Sequence, residues 1–294
     1  MVKIHEFYCR GARVRIIDGE IEVLTDPAIC HCPYVEATYG VRKIDRDAVR
    51  RIVEYKMKNY GYFKPNRCFC SELVVPFGSS EIISVCMKKG LLDCAVVVCE
   101  GAGSVISLNP DLVQGIGSRM NGLIRTSPIP EIIRRIGENG GIVLDPKTAK
   151  IDQLEATKKA IEEGFRKIAV TVICDDAPLI PKLRELEKKS NVKLAIFSTC
   201  NTLIKKDAVQ YLEMADIVCS SASELVREQI GPKALMQLGV SIPVFILTDF
   251  GKRLALEYLT EVKVPLVIFR SRVPYIVKEK LPKCRTECEG CLKT

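Results

Sequence analysis

The chain has 294 residues, a formal net charge of +8, and 14 cysteines beside 2 histidines and no tryptophan. Its 47% hydrophobic and 27% charged residues are typical of a folded protein with one large or two ordinary domains, which excludes a disordered or collagen-like chain. A chain of this size buries enough apolar surface to fold without disulfides. The cysteines therefore need another explanation.

The chain lacks the sequence features of an exported, membrane-bound or nucleic-acid-binding protein. No apolar run reaches the roughly 18 residues of a membrane span, and the opening MVKIHEFYCRG has no apolar signal-peptide core. The positive charge forms no long block and accompanies no RNA-recognition motif. We therefore expect a cytoplasmic protein with no membrane and no nucleic acid among its partners.

Residues 1–75 predict a small α+β unit. Residues 14–24 alternate around Asp18-Gly19, a dipeptide favoured in two-residue hairpin turns. Over residues 45–60 apolar side chains recur at helical spacing, with Asp45 as the N-cap and Gly61 at the end. The unit thus combines a hairpin with one helix.

Residues 76–280 predict a doubly wound α/β domain. Short runs that are apolar throughout alternate with helical patterns, which is typical of a parallel sheet covered on both faces. We therefore predict an α/β fold with a mostly parallel sheet and helices on both faces, followed by a Cys-rich tail at residues 281–294. The predicted strands cover residues 95–99, 142–144, 168–174, 194–198, 217–219, 244–248 and 266–269. The predicted helices cover residues 79–90, 128–136, 151–164, 178–189, 205–214, 223–230 and 251–262.

The tail carries three cysteines, Cys284, Cys288 and Cys291, within eight residues. Such spacing lets successive thiolates converge on one face of an iron–sulfur cluster. A set of three leaves one position for a fourth thiol, a substrate or a ligand from a partner. The alternative is a plain tail with incidental cysteines.

Two Cys-x-Cys pairs lie in turn-prone parts of the N-terminal unit. They are Cys30 with Cys32 and Cys68 with Cys70, and His31 stands inside the first pair. Together the pairs offer four thiolates to one zinc ion or one cluster, with His31 as a spare ligand. The alternative is that each pair is simply buried or exposed to solvent.

Four further cysteines end or closely follow predicted strands: Cys99, Cys174, Cys200 and Cys219. In an open parallel sheet the ligand crevice lies outside the carboxyl ends of the strands, so these thiols are expected along one edge. Cysteine is also among the most buried residue types, and core packing is the competing explanation for each of them. The remaining three, Cys9, Cys86 and Cys94, are predicted to lie in the core.

A glycine-rich stretch follows the strand at residues 95–99. Backbone amides at Gly101, Gly103 and Ser104 are positioned to cradle an anion. A second stretch, GIGSRMNG, lacks the third glycine of a dinucleotide fingerprint but has Arg119 within it and Arg125 soon after, and either arginine can contact a phosphate or carboxylate.

Three carboxylates are candidates for acid–base chemistry at the predicted sheet edge. Glu100, Asp175 and Asp249 each follow a predicted strand, and Asp176 lies beside them. Because the chain has only 2 histidines, we do not expect a hydrolase with a catalytic triad built on histidine.

Several long segments resemble the methanogenesis marker protein 8 family. They are HEFYCRGARVRIIDGEIEVLTDP, LLDCAVVVCEGAGSVI, VQGIGSRMNGLIRTSPIPEII and LDPKTAKIDQLEATKKAIEEGFRKIAVTV. Members of that family occur in methane-producing archaea. The resemblance implies a setting in an anaerobic cytosol and carries over no active-site residue.

Two functions follow as hypotheses. The first is an iron–sulfur or other metal-binding protein linked to methanogenesis, an electron carrier or an assembly or activation factor whose partner is a methanogenic enzyme or its activation machinery. In this hypothesis the tail thiols bind a cluster, and the Cys-x-Cys pairs form a second site or complete the first. A further possibility is a scaffold protein that is stabilised by zinc and only binds partners. The alternative is an α/β enzyme that acts on a small anionic substrate at the carboxyl edge of the sheet.

Overall fold

The computed structural model describes residues 2–72, 74–119 and 121–285. An N-terminal unit is built on an antiparallel sheet of four strands, in the order β3-β2-β1-β7. The bounds are Ile4–Cys9 for β1, Ala12–Ile17 for β2, Glu20–Val23 for β3, Ile29–His31 for β4 and Leu123–Arg125 for β7, with helices α1 (Pro33–Tyr39) and α2 (Arg46–Tyr60). The fourth strand of this sheet comes from far along the chain, so residues 1–75 alone do not complete it.

The predicted hairpin and helix of the N-terminal unit are both confirmed. Asp18 and Gly19 have φ of 48° and 95°, the left-handed pair that a type I′ turn between β2 and β3 requires. Asp45 caps α2 by accepting a hydrogen bond from the Ala48 amide at 2.8 Å. The helix ends at Gly61, whose φ is 66°.

The larger sheet has eight strands in the order β12-β13-β11-β10-β9-β5-β6-β8. The strands are β5 (Cys94–Cys99), β6 (Gly103–Ser107), β8 (Gly141–Val143), β9 (Lys167–Ile173), β10 (Lys193–Thr199), β11 (Ile217–Cys219), β12 (Met236–Leu238) and β13 (Val244–Ile246). The prediction of a mostly parallel sheet is wrong outside the centre. Strands β5, β9, β10 and β11 run parallel, whereas β6, β8, β12 and β13 pair antiparallel.

Tight turns explain why the flanks reverse direction. Glu100 to Ala102 return the chain directly from β5 into β6, a strand that the glycine pattern concealed. The short connection from β12 leads straight into β13, which pairs with it antiparallel. The strand predicted at residues 266–269 is absent, and Val267 and Ile268 are 86% and 83% exposed.

Helices cover both faces of the large sheet, as predicted. Their bounds are α3 Ser79–Lys88, α4 Pro110–Gly117, α5 Pro130–Glu138, α6 Gln153–Glu162, α7 Ile180–Ser190 and α8 Asp249–Leu259. Side chains that alternate along β5 belong to two separate cores. Val97 shares one core with α3, α4, α5 and α8, and Val96 shares the other with α6 and α7. Instead of the α-helices predicted at residues 205–214 and 223–230, the chain forms a 3₁₀ helix (Val209–Met214) and a π-helical turn (Val226–Ile230).

The chain beyond α8 returns to the N-terminal unit. Strand β14 (Lys283–Cys284) pairs antiparallel with β4 and ties the two regions together. None of the helices in the described ranges is both long enough and apolar enough to cross a membrane.

Candidate functional site

A cavity of about 720 Å³ lies between the large sheet and the N-terminal unit. Ile173, Thr199 and Cys219, which end β9, β10 and β11, form part of its wall. The cavity therefore opens at the carboxyl ends of the central parallel strands, where ligands of such sheets bind. Its other walls come from β1, α2, the start of α3, the loop after α4 and the chain shortly before β14.

Three cysteines line this cavity: Cys32, just before α1, and two at the ends of neighbouring strands. Cys200 follows β10 directly, with a left-handed φ of 54°, and Cys219 ends β11. Burial, together with the nearby Cys219, raises the pKa of the Cys200 thiol to about 11, although the Thr199 hydroxyl, Lys56 and the Gly122 amide act in the opposite direction. Burial also raises the pKa of Cys219.

The other two strand-end cysteines lie outside the cavity wall. Cys99 is fully buried in the core, with Sγ 3.4 Å from the carbonyl oxygen of Glu100. Burial and the adjacent Asp175 raise the pKa of Cys174 to about 12. The structure thus divides the predicted row of four into two cavity thiols and two core thiols.

Lys56 brings a buried cation to the cavity wall. The residue is 5% exposed, and its Nζ donates to the carbonyl oxygen of Arg119 at 2.7 Å and to Oδ1 of Asn121 at 3.4 Å. Among the residues described, no carboxylate forms an ion pair with it. Burial, with help from nearby Arg10 and Arg67, lowers its pKa to about 8.

Two arginines extend this positive wall. Arg10, in the left-handed region with φ of 55°, holds its guanidinium 5.7 Å from the ring centre of Tyr34. Its Nε is buried and has no hydrogen-bond partner among the described residues. Arg119 stacks 4.3 Å from the ring centre of Tyr60. A buried donor without a hydrogen bond, close to a lysine without a carboxylate partner, lowers the stability of the folded protein. An anionic ligand that pairs with both groups would recover that free energy.

Two carboxylates line the cavity, Glu81 and Asp176, and Glu81 already accepts hydrogen bonds from Ser80 and Gln114. Asp176 lies in the wall, and burial and the neighbouring Asp175 raise its pKa. Asp175 itself accepts a hydrogen bond from the Tyr8 hydroxyl at 2.8 Å. Tyr8 lines the cavity, and Asp175 orients its hydroxyl group through this hydrogen bond.

The expected cluster of Glu100, Asp175 and Asp249 does not form. Glu100 is fully buried, paired with the Arg67 guanidinium, and lies outside the cavity wall. Asp249 lies at the opposite edge of the sheet, because β13 runs antiparallel to β11 and delivers Thr248 to Asp216, the residue before β11, at 2.6 Å. The error came from taking β13 as parallel.

The glycine stretch after β5 is a tight turn and not an anion cradle. The Gly101 amide donates to Thr126 Oγ1 at 2.7 Å, and the Ser104 amide donates to the carbonyl oxygen of Lys150 at 3.0 Å. Backbone of Ala149 and Lys150 packs directly against Gly103. Amides that already have partners, in a turn this closely packed, leave no room for a ligand.

Within the part of the chain that the structure describes, the Cys-x-Cys pairs form no common group of metal ligands. Cys30 is disulfide-bonded, Cys32 is the buried N-cap residue of α1, and Cys68 is exposed beside partly buried Cys70. Across residues 2–72, 74–119 and 121–285, no three His, Cys, Asp or Glu side chains are grouped so that they could hold a metal ion.

The first cysteine of the tail lies beside the first pair. Cys284, in β14, is partly buried, and its carbonyl oxygen is 3.4 Å from Sγ of Cys30. Cys288 and Cys291 lie outside the described residues.

Comparison with known proteins places the chain in an archaeal group. Residues 5–260 match the model of DUF2099, described as uncharacterized protein conserved in archaea. The chain belongs to the DUF2099 family. An uncharacterized protein of Methanocaldococcus jannaschii is 39% identical over 248 residues, which cover 84% of this chain and 86% of that protein. The segment matched to DUF2099 includes both Cys-x-Cys pairs and the strand-end thiols Cys200 and Cys219, and it ends before β14.

The sequence patterns of this DUF2099 protein did not single out Lys56 or Arg10. A signal for Lys56 was present, because it stands between Val53 and Met57 on the apolar stripe of α2, where a charged side chain is out of place. No comparable signal marked Arg10, since its position depends on how β1 turns into β2 beneath α1.

Proposed function

We propose that this protein is an enzyme whose substrate is a small, mainly apolar molecule with one anionic group, bound in the cavity at the carboxyl edge of the sheet. The observation that carries the proposal is Lys56, a buried lysine without a carboxylate partner in the wall of a large cavity. Burial of an unpaired charge is retained mainly where a ligand or a reaction uses it.

The size and walls of the cavity support this substrate class. Ligand sites are commonly clefts of about 300–1,000 Å³ with apolar walls and few polar groups. Here apolar side chains come from β5, α4, β9 and β13, among them Val97, Val113, Ile173 and Val244. The polar groups that can orient a ligand include Lys56, the two arginines and Asp176.

Groups that can react with a ligand also line the cavity. Cys200 and Cys219 face it, and Lys56 influences the charge of Cys200. Asp176, whose pKa is raised, holds a proton more readily than an ordinary aspartate and can donate it. A nucleophile and an acid in one cavity favour an enzyme over a simple carrier.

Ligand-dependent stability tests the proposal. Short-chain carboxylates, sulfonates and phosphate monoesters would each be compared with an uncharged analogue of the same shape by thermal unfolding. A ligand at about 100 times its Kd stabilises the native state by about 2.7 kcal/mol, which gives a readily measured rise in Tm. We expect the anions to raise Tm and their neutral analogues to do so far less.

Two lysines on the same helix give a matched control. Lys56→Met should weaken anion binding at least about 10-fold, because it removes the buried charge. Lys58→Met should leave binding unchanged, since Lys58 is exposed on the other side of α2. Equal binding of anions and their neutral analogues would contradict the proposal, as would a panel in which nothing binds.

A metal-binding function is the second candidate, favoured by the approach of Cys284 to Cys30. In it Cys284, Cys288 and Cys291 bind an iron–sulfur cluster or zinc, and Cys30, Cys32, Cys68 and Cys70 add ligands once the Cys30 disulfide is reduced. The resemblance to methanogenesis marker protein 8 supports a methanogenic enzyme as partner. Anaerobic purification followed by iron, sulfide and zinc analysis tests it, and protein without any of the three refutes it.

A further inference from the structure

The thiols of Cys200 and Cys219 lie near each other at the ends of neighbouring strands. Ser198 of β10 pairs with Val218 of β11 in parallel register, so Cys219 and Cys200 each follow closely on this pair. Cys219 contributes to the raised pKa of Cys200, as expected of close thiols. For comparison, one strand across and one residue along in a regular sheet is about 6 Å between Cα atoms, inside the range that a disulfide spans. Both are free thiols in the structure.

The backbone around the pair is held in an unusual conformation. Cys200 and Ser221 have φ of 54° and 51°, which non-glycine residues adopt rarely. The Asn201 amide donates to Ser221 Oγ at 3.0 Å, and that oxygen lies 3.9 Å from Sγ of Cys219. The hydrogen bond fixes the two strand ends side by side.

We propose that Cys200 and Cys219 form a redox-active dithiol that reduces a small organic disulfide bearing an anionic group. The inference rests on the proposed function, because the disulfide would occupy the same cavity with its anion towards Lys56. It names the substrate class and the two residues that carry the chemistry.

The reaction proceeds in two exchanges. The Cys200 thiolate attacks one sulfur of the substrate, forms a mixed disulfide and releases the first product thiolate, which takes up the proton lost by Cys200. The Cys219 thiolate then attacks Sγ of Cys200, closes the Cys200–Cys219 disulfide and releases the second product, which takes the second proton. Two electrons pass from the protein thiols to the substrate disulfide, which becomes two thiols.

The surroundings assign the first attack to Cys200. Burial raises the pKa of both thiols, that of Cys200 to about 11, so the thiolate is the minor form of each. The Lys56 ammonium acts on the Cys200 thiol but is not among the groups that act on Cys219. A substrate whose anion binds Lys56 therefore brings its disulfide nearest to Cys200, and Cys219 resolves the mixed disulfide.

Two aromatic disulfides of different charge test the inference. The reduced protein would be mixed with 5,5′-dithiobis(2-nitrobenzoate), which carries carboxylates, or with neutral 4,4′-dithiodipyridine, and the peptides mapped by mass spectrometry. We expect a peptide pair linked through Cys200 and Cys219, about 2 Da lighter than the two reduced peptides together. Mapping separates this link from labelling at exposed Cys68.

Variants separate the steps. The Cys219→Ser variant should accumulate the mixed disulfide on Cys200, because no second thiol resolves it. The Cys200→Ser variant should form neither the mixed disulfide at this position nor the protein disulfide. Lys56→Met should slow exchange about 10-fold with the anionic reagent and less than about 2-fold with the neutral one. Cys94→Ser, which removes a buried thiol at the start of β5 and outside the cavity wall, should leave the exchange unchanged.

Failure of the dithiol is distinguishable from failure of the enzyme proposal. If the linked peptide is absent, or if Cys200 and Cys219 stay unlabelled while Cys68 reacts, the dithiol is refuted. Anion binding by the Cys200→Ser/Cys219→Ser double variant, followed by thermal unfolding, shows whether that variant is folded and whether the cavity site survives. Retained binding with no exchange would overturn the dithiol alone, whereas loss of anion binding by wild-type protein would overturn both.

Discussion

Individual residues show two ways of burying a positive charge. Arg67, 2% exposed, is paired with Glu100, donates to the carbonyl oxygen of Gly115 at 2.9 Å, and has the Tyr62 ring 3.9 Å from its guanidinium. Lys56 donates to a carbonyl and an amide oxygen and lies 5.8 Å from the Tyr62 ring centre, and no described carboxylate pairs with it. The first charge is satisfied within the fold and the second is left for a ligand.

Removing the charge of Glu100 should destabilise the protein strongly. Glu100→Gln leaves Arg67 buried without its counter-ion, and breaking a buried pair in this way costs about 3 kcal/mol or more. Urea unfolding measures the loss. Glu138→Gln removes the exposed pair with Arg134 and should cost less than about 1 kcal/mol. Equal effects of the two variants would argue that the Arg67 pair is not desolvated.

The stability contribution of Lys56 should depend on pH. Its pKa falls from 10.5 to about 8 on folding, so between these values the unfolded chain binds more protons and wild-type stability rises with pH. The stability of Lys56→Met relative to wild type should therefore fall by about 3 kcal/mol from pH 7 to pH 10.5. Urea unfolding of both proteins across this range measures the difference, and a constant difference would show that the pKa is unshifted.

At the scale of elements, the two ends of helix α2 determine where Lys56 lies in the cavity wall. Asp45 caps the start of the helix and Gly61 caps its end, and Lys56 between them reaches the loop after α4. The end is fixed by packing as well as by conformation, since a Cβ at Gly61 would lie 2.5 Å from the carbonyl oxygen of Asn66.

Two glycines with the same conformation separate these effects. Gly40 and Gly61 both end helices with φ of 66°, but a Cβ at Gly40 meets nothing within 4 Å. Gly40→Ala should cost about 1 kcal/mol from the left-handed backbone. Gly61→Ala should cost about 1–3 kcal/mol more because of overpacking. Chemical denaturation compares them, and similar losses would mean that the Asn66 turn relaxes.

The elements also show where sequence patterns succeed. The Asp-Gly hairpin, the capped helix α2 and the buried strands β9 and β10 follow from local chemistry and were predicted closely. Strand direction at the sheet flanks depends on which neighbour a short strand such as β13 finds, which is a long-range property. Asp249 was misplaced for that reason, and Lys56 was missed because its meaning depends on the cavity that α2 faces.

For the whole molecule, the cavity wall uses segments from both ends of the described chain. Lys280 and Pro282 contribute to it shortly before β14. A chain that ends at residue 277 should therefore bind anions more weakly, with faster dissociation, than one that ends at residue 285. Stopped-flow displacement of a bound anion measures both, and equal dissociation rates would show that this part of the wall does not restrain the ligand.

A cavity assembled from segments between Tyr8 and Pro282 has a consequence for folding kinetics. The parallel pairing of its central strands and the joining of β14 to β4 require distant parts of the chain to meet, which slows folding. The binding site is then completed only near the end of that process. A ligand would bind the native state and none of the partly folded states before it. The concentration of the ligand would therefore determine what fraction of the protein is unfolded and open to proteolysis.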